Sequence, residues 1–563
     1  MQKTEQLKGK SYEPILPGPE DWPVVRLSRN RKEFVEEVIQ ESFQRIKKLR
    51  RTPDMLREEI EITMFKERLR VKENPWKVDP DDELLFWSDV KKQLVSSHQN
   101  TKKKNKDISD QLLLDIISRY ANEIAGNFKP THYRLARTIV TFGFARLLNA
   151  AQLRTFGALF HGNLTLQDKI QIRGETEHIR KLAKIGTIVM VPTHFSNLDS
   201  ITIGFIIHSL GLPPFIYGAG LNLFNIAIFA YFMNSLGAYK VDRRKKNMIY
   251  LETLKMYSNL ALQKGCHSLF FPGGTRSRSG KIESRLKLGL LGTALEAQRV
   301  NFLKSDGNKP NKIFIVPVVL NYNFVLEAVG LISDYLSEKG QERFYTESDQ
   351  YASSYKILKF LIQFFARGSD MSASIGRGMD LLGNYVDDEG NSLDNKGKII
   401  QIEDYFKFKG SISENPQREG EYTRMLSEKL VHEFHRLARC SASHLVAFTA
   451  FEYFRARYDK LDIYSLLRIP VEELVISYDQ FKVAFLDMKK RILMLENKGR
   501  IHLADHLKMK DVDTLIEIGV NNVGIFHAKR PLLFNKDRDI TTQDLKTLYY
   551  YRNRLDGYDL EKR

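Results

Sequence analysis

Short apolar runs alternate with helix-like stretches between residues 169 and 322, and this alternation limits the possible folds more than any other feature of the chain. Longer stretches between the runs, such as 200–211 and 245–265, carry apolar residues at helical spacing. Strands that alternate with helices build a parallel sheet with helices on its faces. We therefore expect an α/β fold whose largely parallel sheet is flanked by helices. The strand candidates are 169–174, 186–192, 237–241, 267–272, 312–322 and, further on, 372–382.

Helical patterns dominate on both sides of this α/β region. A chain of 563 residues exceeds what one hydrophobic core usually organises. The predicted segments are a helical N-terminal region (1–125), the α/β domain (126–385), a surface hairpin or insertion (386–420) and a helical C-terminal region (421–563). The glycine-centred acidic turns of the third segment lack the ligand spacing of a calcium loop, so we predict no metal site.

The charge balance favours anionic partners. The formal net charge is +18, from 87 Lys and Arg against 69 Asp and Glu, and both nucleic acid and acidic lipid fit such a surface. Two cysteines, Cys266 and Cys440, are too few for a disulfide framework, which favours a reducing compartment. The N-terminus lacks the apolar core of a secretory signal. No apolar run reaches the length of a spanning helix, so we expect a cytoplasmic protein that lies on a membrane without crossing it.

His194 and Asp199 stand where the second of the strand candidates ends. Five residues apart, they do not share a helix face, so they meet only if His194 lies on the loop and Asp199 in the first turn of the next helix. A carboxylate bonded to one imidazole nitrogen leaves the other free as a general base. A histidine and an aspartate at this spacing also occur by chance, in packing or capping roles. The pair alone therefore does not decide between a catalytic and a structural role.

Two further strand ends carry cations. The stretch "FPGGTRSRSGK" at 271–281 holds paired glycines, which let a backbone approach an anion, and arginines, which bind phosphate with a planar fork. It is not a P-loop, and a tight turn with solvated arginines is the alternative. The predicted cationic residues and their glycine are Arg243, Gly274, Arg276, Arg278 and Lys287. A base and several cations at one sheet edge are typical of a site that deprotonates a hydroxyl on a phosphate-bearing molecule.

Four ordered motifs resemble the glycerol-3-phosphate and lysophosphatidate acyltransferase superfamily. They read "HFSNLD" at 194, "GAYKVDRR" at 237, "FPGGTRSRSG" at 271 and "VPVVLNY" at 316. Residues 211–244 are similar to the bacterial glycerol-3-phosphate and dihydroxyacetone-phosphate acyltransferases in particular. The resemblance covers about residues 160–330 and identifies the α/β segment as the catalytic domain.

The resemblance implies acyl transfer from a thioester to a glycerol-phosphate hydroxyl in phospholipid synthesis, with no cofactor. His194 would be the base and Asp199 would orient it, while the four cations and Gly274 would bind the phosphate. Backbone amides near Gly273 and Gly274 are our candidates for the oxyanion. Ser196 is expected to be a cap and not a nucleophile. The donor is acyl-CoA or acyl carrier protein, and the acidic carrier suits a basic enzyme.

Gly273 departs from the motif, because many family members have Glu there. This leaves the acceptor open between glycerol 3-phosphate and lysophosphatidate, and a non-catalytic protein that binds anionic surfaces is a further alternative. A nucleic-acid binder would rest on charge alone, so we predict none. Residues 221–236 are either an acyl tunnel, a surface that dips into the bilayer or a buried helix, and 134–156 has the pattern of a membrane-surface helix. We expect peripheral binding to acidic lipid at the inner face of the membrane.

Overall fold

The computed structural model describes residues 6–7, 11–76, 79–97, 102–138, 170–220, 237–305, 309–339 and 371–561. The predictions for 139–156 and 221–236 therefore lie outside the described residues. All statements below about sheets, helices and contacts refer to the described ranges.

One mixed sheet organises the centre of the protein, with the strand order β1-β2-β8-β7-β3-β6-β4-β5. Its strands are β1 Gln6–Leu7, β2 Ile170–Gly174, β3 Gly186–Pro192, β4 Ile216–Gly220, β5 Ala238–Val241, β6 Ser268–Leu269, β7 Lys312–Tyr322 and β8 Met371–Ile375. Neighbours within the row β7-β3-β6-β4-β5 are all parallel, whereas β8 runs antiparallel to β7. The predicted α/β fold with a largely parallel sheet is confirmed.

The middle strand β3 is a continuous apolar run because both of its faces are covered. Residues Thr187 to Pro192 are all buried, as expected of a strand inside a parallel sheet. Met190 pairs with Leu269 of β6 on one side and with Val316 of β7 on the other. This register brings the carboxyl ends of three parallel strands to one edge of the sheet, where α/β proteins place their sites.

Five helices accompany the sheet in sequence: Thr176–Ile185, Asp199–Ser209, Met248–Gln263, Leu288–Leu303 and Ala328–Lys339. The helix Met248–Gln263 begins at an Asn247 cap, whose side chain accepts the Tyr250 N–H. Lys287 stands at the N-cap of Leu288–Leu303, in agreement with the predicted helix start.

The N-terminal region is helical, as predicted. Its helices are Pro23–Arg29, Arg31–Leu49, Pro53–Glu73, Glu83–Ser97, Lys102–Ile124 and Pro130–Thr138. Their buried residues form one hydrophobic cluster with Ile216 of β4, Tyr239 of β5 and the helix Met248–Gln263. The strand β1 was not predicted; it pairs antiparallel with β2 and extends the sheet at that edge.

The C-terminal helices share a hydrophobic core with the sheet. They are Pro416–Leu437, Ala442–Arg457, Ile463–Leu466, Tyr478–Asn497, Asp505–Met509, Val512–Asn522 and Leu545–Arg552. Leu445, Phe448 and Leu548 belong to the same buried cluster as Leu320 of β7. No described helix combines the length and the hydropathy that crossing a bilayer would require.

Three further strand predictions differ from the structure, and one of them is the candidate 372–382, of which only β8 Met371–Ile375 is a strand. Strand β4 was missed because Gly218 and Gly220 weaken its apolar pattern; Gly218 packs directly against the Tyr239 ring. Strand β6 is shorter than 267–272, since the chain leaves the sheet after Leu269 to form the glycine turn. Short antiparallel pairs lie at 392–400 and 407–412, within the segment 386–420 that was predicted as a surface hairpin or insertion.

Candidate active site

His194 and Asp199 meet as the sequence predicts. His194 lies on the loop after β3, and Asp199 is the first residue of the helix Asp199–Ser209. The imidazole Nδ1 lies 2.8 Å from the Asp199 Oδ2. Because Nδ1–H donates to this carboxylate, Nε2 carries the free lone pair, and the pair has the geometry of an oriented general base.

Asp199 is fully buried and is held by four donors. Its Oδ2 also accepts the N–H groups of Phe195 at 2.6 Å and Ser196 at 2.9 Å. The hydroxyl of Tyr322, at the end of β7, donates to Oδ1 at 2.5 Å. Burial, together with the negative charge of Asp199, raises the pKa of Tyr322 well above its usual value. Tyr322 therefore stays a donor and fixes Asp199 from the far side.

The loop after β6 closes over His194. The Phe271 ring stacks on the imidazole, with ring centroids 4.1 Å apart and planes 22° from parallel. The Ser277 N–H donates to the His194 carbonyl at 2.8 Å, and the His194 N–H donates to Glu283 Oε1 at 2.8 Å. His194 is thus held by its ring and by both of its backbone polar groups.

Gly274 forms the tight turn that the paired glycines predict. It has a φ of 74°, in the left-handed region that favours glycine. The Lys287 side chain lies across it, because a Cβ on Gly274 would come within 2.7 Å of the Lys287 Cδ, Cε and Nζ. The Gly274 N–H donates to the Phe271 carbonyl at 3.0 Å. The Gly274 amide is therefore already used within the turn. Of the two glycine amides, that of Gly273 remains the candidate donor to the oxyanion.

Arg243 and Arg276 come together from two strand ends. The nearby charge of Arg276, after burial, contributes to lowering the pKa of Arg243. Arg276 Nη1 lies 3.2 Å from Glu327 Oε1, and Glu327 also accepts from Ser196 Oγ and from the Asn197 N–H. One carboxylate thus ties Arg276 to the His194 loop. Two crowded guanidinium groups with a single buried carboxylate favour an anion between them.

The remaining predicted residues have mixed placements. Arg278 lies half-buried in the same loop. Ser196 is buried, and its hydroxyl accepts the Leu198 N–H at 3.2 Å; Leu198 is the N-cap of the next helix, which has no side-chain cap, so Ser196 does not cap it as predicted. Lys281, which the sequence placed beside the arginines, pairs with Asp556 at 2.7 Å and supports the loop from outside.

A buried ion network anchors the strand end that carries Arg243. The neighbouring Arg244 pairs with Asp79 at 2.5 Å and with Asp242 at 2.7 Å. Asp79 in turn accepts from Arg70, which also contacts Glu67 and Glu83, and Lys245 contacts Glu123. The N-terminal helices therefore hold β5 and its following turn in place.

Residues from the C-terminal region reach the site and were not predicted. The Arg554 guanidinium stacks on the Phe195 ring at 3.6 Å and donates to the Leu320 carbonyl. Asn553 Nδ2 donates to the Ser279 carbonyl at 2.9 Å, and the backbone of Gly280 lies against the Tyr550 carbonyl. The signal for these contacts is absent from any local pattern, since more than two hundred residues separate the partners. Among the described residues, no cluster of three His, Cys, Asp or Glu side chains is placed to hold a metal ion.

The central part of the chain is similar to known proteins. Residues 170–321 match the family model described as Acyltransferase, and they span β2 to β7 with every predicted site residue. The similarity to the acyltransferase superfamily therefore covers this central part of the chain. Several bacterial proteins to which the chain is similar are named glycerol-3-phosphate acyltransferase.

Three such relatives illustrate the extent of the likeness. A glycerol-3-phosphate acyltransferase of Pseudomonas aeruginosa strain UCBPP-PA14 is 27% identical over 235 residues, which is 42% of this chain and 25% of that protein. The protein of the same name from Shewanella putrefaciens is 26% identical over 265 residues, 47% of this chain and 29% of its own length. A third, from Shewanella sp. strain MR-7, is 26% identical over 280 residues, 49% and 31% of the two chains. The chain thus spans less than a third of the length of these relatives.

Proposed function

We propose that this protein transfers a fatty acyl group from an acyl thioester to the 1-hydroxyl of glycerol 3-phosphate. One observation carries the proposal: the oriented His194–Asp199–Tyr322 chain opens beside the pair Arg243 and Arg276. A base next to guanidinium groups fits an acceptor that has both a hydroxyl and a phosphate. The names of the relatives support the same substrate class.

In the proposed mechanism the His194 Nε2 removes the proton from the acceptor hydroxyl as its oxygen attacks the thioester carbonyl carbon. The resulting imidazolium is stabilised by the buried Asp199 carboxylate. The tetrahedral intermediate collapses, the carbon–sulfur bond breaks, and the imidazolium returns the proton to the leaving thiolate. No acyl-enzyme forms and no cofactor is needed, because the thioester is already activated and Ser196 is occupied by Glu327 and Leu198.

Substrate binding is assigned to the cations. Arg243, Arg276, Arg278 and Lys287 would hold the acceptor phosphate, and Gly274 lets Lys287 approach it. The Gly273 amide would stabilise the oxyanion. The net charge of +18 supports an acidic donor carrier or an acidic lipid surface at the inner face of the membrane, and acyl-CoA and acyl carrier protein are both candidate donors.

Acyl-transfer assays on the full chain test the proposal. We expect product from glycerol 3-phosphate with one of the two donors, and about a 100- to 10,000-fold loss in His194→Ala, the range that general-base catalysis supplies. His178→Ala is the matched control, because His178 also pairs with an aspartate, Asp388, at 2.7 Å, but stands on the helix Thr176–Ile185. We expect it to keep wild-type activity. Transfer to lysophosphatidate with none to glycerol 3-phosphate would favour the alternative acceptor, and near-normal activity of His194→Ala would refute the mechanism.

A further inference from the structure

Glu283 supplies the site with a carboxylate that no sequence motif indicated. It lies after the glycine turn, and its Oε1 accepts the His194 N–H at 2.8 Å. Its Oε2 is buried without a hydrogen-bond partner among the described residues. Buried polar atoms are nearly always paired, so a carboxylate kept in this state beside the catalytic histidine calls for a functional reason.

Glu283 lies directly beside Gly273. The backbone of Gly273 does not adopt the left-handed conformation that Gly274 needs, so its dihedral angles would admit a side chain. A Cβ on Gly273 would instead come within 3.1 Å of the Glu283 Cγ and 3.4 Å of its Oε1. The space beside Gly273 is therefore filled by Glu283.

The surroundings of Glu283 make its charge costly. Burial raises the pKa of Glu283 to about 7, although the His194 N–H and the charge of Arg554 act to lower it. Arg554 is itself buried and packs on Phe195, next to His194. A side chain that served packing alone would be apolar here, since an apolar group carries no such desolvation cost.

We propose that Glu283 is a positioning residue for His194, and that positions 273 and 283 are alternative sources of the same carboxylate. In a glutamate, three bonds separate Cβ from a carboxylate oxygen. That span covers the 3.4 Å between the Cβ site at Gly273 and the present Oε1. A glutamate at 273 would thus place its oxygen where Glu283 now receives the His194 N–H, provided that Glu283 is shortened. The inference rests on the proposed acyl transfer.

The test compares variants of the full chain in acyl transfer from palmitoyl-CoA or palmitoyl-acyl carrier protein to glycerol 3-phosphate, with a thermal melt of each protein. We expect Glu283→Ala to lower kcat about 10- to 100-fold with little change in KM, the usual effect of losing a group that orients a functional residue. Glu283→Gln keeps an acceptor oxygen, and its kcat should stay within about threefold of wild type.

The exchange of the two positions is tested by a double variant. Gly273→Glu/Glu283→Ala should recover most of the activity. Gly273→Glu alone should be impaired, because two carboxylates then compete for one space. Ser284→Ala, at the exposed neighbouring position, is the control and should behave as wild type.

The outcomes separate the two proposals. A wild-type chain without acyl transfer to any glycerol-phosphate acceptor refutes the proposed function, whatever the variants do. With an active wild type, undiminished activity in Glu283→Ala refutes the positioning role. If Glu283→Ala does not fold, the double variant decides: a folded and active double variant supports the exchange, and an inactive or unfolded one overturns it.

Discussion

Gly274 combines two requirements, a left-handed backbone and room for the Lys287 side chain. Gly274→Ala adds a methyl group to a residue with a φ of 74° and displaces Lys287 from within 2.7 Å. We expect a several-fold higher KM for glycerol 3-phosphate together with a lower melting temperature. Gly289→Ala, where an added Cβ meets no atom within 4 Å, is the control; it should leave KM unchanged and should not lower the melting temperature, because alanine favours a helix over glycine. An unaltered KM in Gly274→Ala would show that Lys287 does not bind the acceptor.

Tyr322 donates the hydrogen bond that holds the second oxygen of Asp199. Tyr322→Phe removes a donor to a buried charge, which costs about 1.5 to 3 kcal/mol of stability, and it loosens the support of His194. We expect a lower melting temperature and a reduced kcat. Tyr550→Phe is the matched control, because the Tyr550 hydroxyl is buried without a partner among the described residues, and its removal should be close to neutral. Equal effects of the two changes would mean that the hydrogen bond from Tyr322 to Asp199 contributes neither to stability nor to kcat.

The turn that carries Arg243 depends on the N-terminal helices. Arg70 is buried among Glu67, Asp79 and Glu83, so Arg70→Met leaves carboxylates without their partner. Breaking a buried ion pair in this way costs about 3 to 5 kcal/mol, and we expect a large drop in melting temperature and weaker acceptor binding. In Lys92→Met the lost pair with Asp89 is 77% and 65% exposed, and such pairs contribute about 0 to 1 kcal/mol. A small effect at Arg70 would show that the network does not support the site.

At the scale of elements, the sequence predicts what is local. His194 and Asp199 are five residues apart on either side of a helix start, and strand ends located the arginines, so these residues were found. Tyr322, Glu283, Glu327 and Arg554 were missed as functional partners, because their contacts depend on how distant elements pack. Tyr322 lies within a correctly predicted strand, yet its bond to Asp199 spans 123 positions, and no pattern in β7 indicates it. Gly273 departs from the motif, and the sequence gives no sign that Glu283 lies beside it.

Buried neutral histidines should make the whole protein sensitive to acid. Burial lowers the pKa of His267, His444 and His502 to about 4 and that of His527 to about 3. In the unfolded chain these histidines bind protons below about pH 6.5, whereas in the folded protein they stay neutral down to about pH 4. Protons therefore favour the unfolded chain, and stability falls as the pH drops from about 6.5 toward 4. Glu283 is a single group that acts in the opposite direction. Its pKa is raised to about 7 in the folded protein, so its contribution to stability grows as the pH falls.

The melting temperature should therefore be lower at pH 5 than at pH 7. His267→Gln should lose part of this difference, since His267 accepts the Ile188 N–H through Nδ1 and glutamine offers an acceptor that does not titrate in this range. A melting temperature that is equal or higher at pH 5 would contradict the assignment.

The contacts of Tyr550 and Asn553 with the glycine turn also bear on how the protein is made. About 270 residues separate Gly280 from Tyr550, and synthesis at about 5 to 20 residues per second takes about 15 to 55 seconds to cover them. During that interval the nascent chain already contains His194, Asp199 and the arginines, but the support behind their loop does not yet exist. Ribosome-bound chains that end just before residue 550 should therefore lack the proposed acyl-transfer activity, because the contacts that support the loop after β6 form only when the last residues have been made.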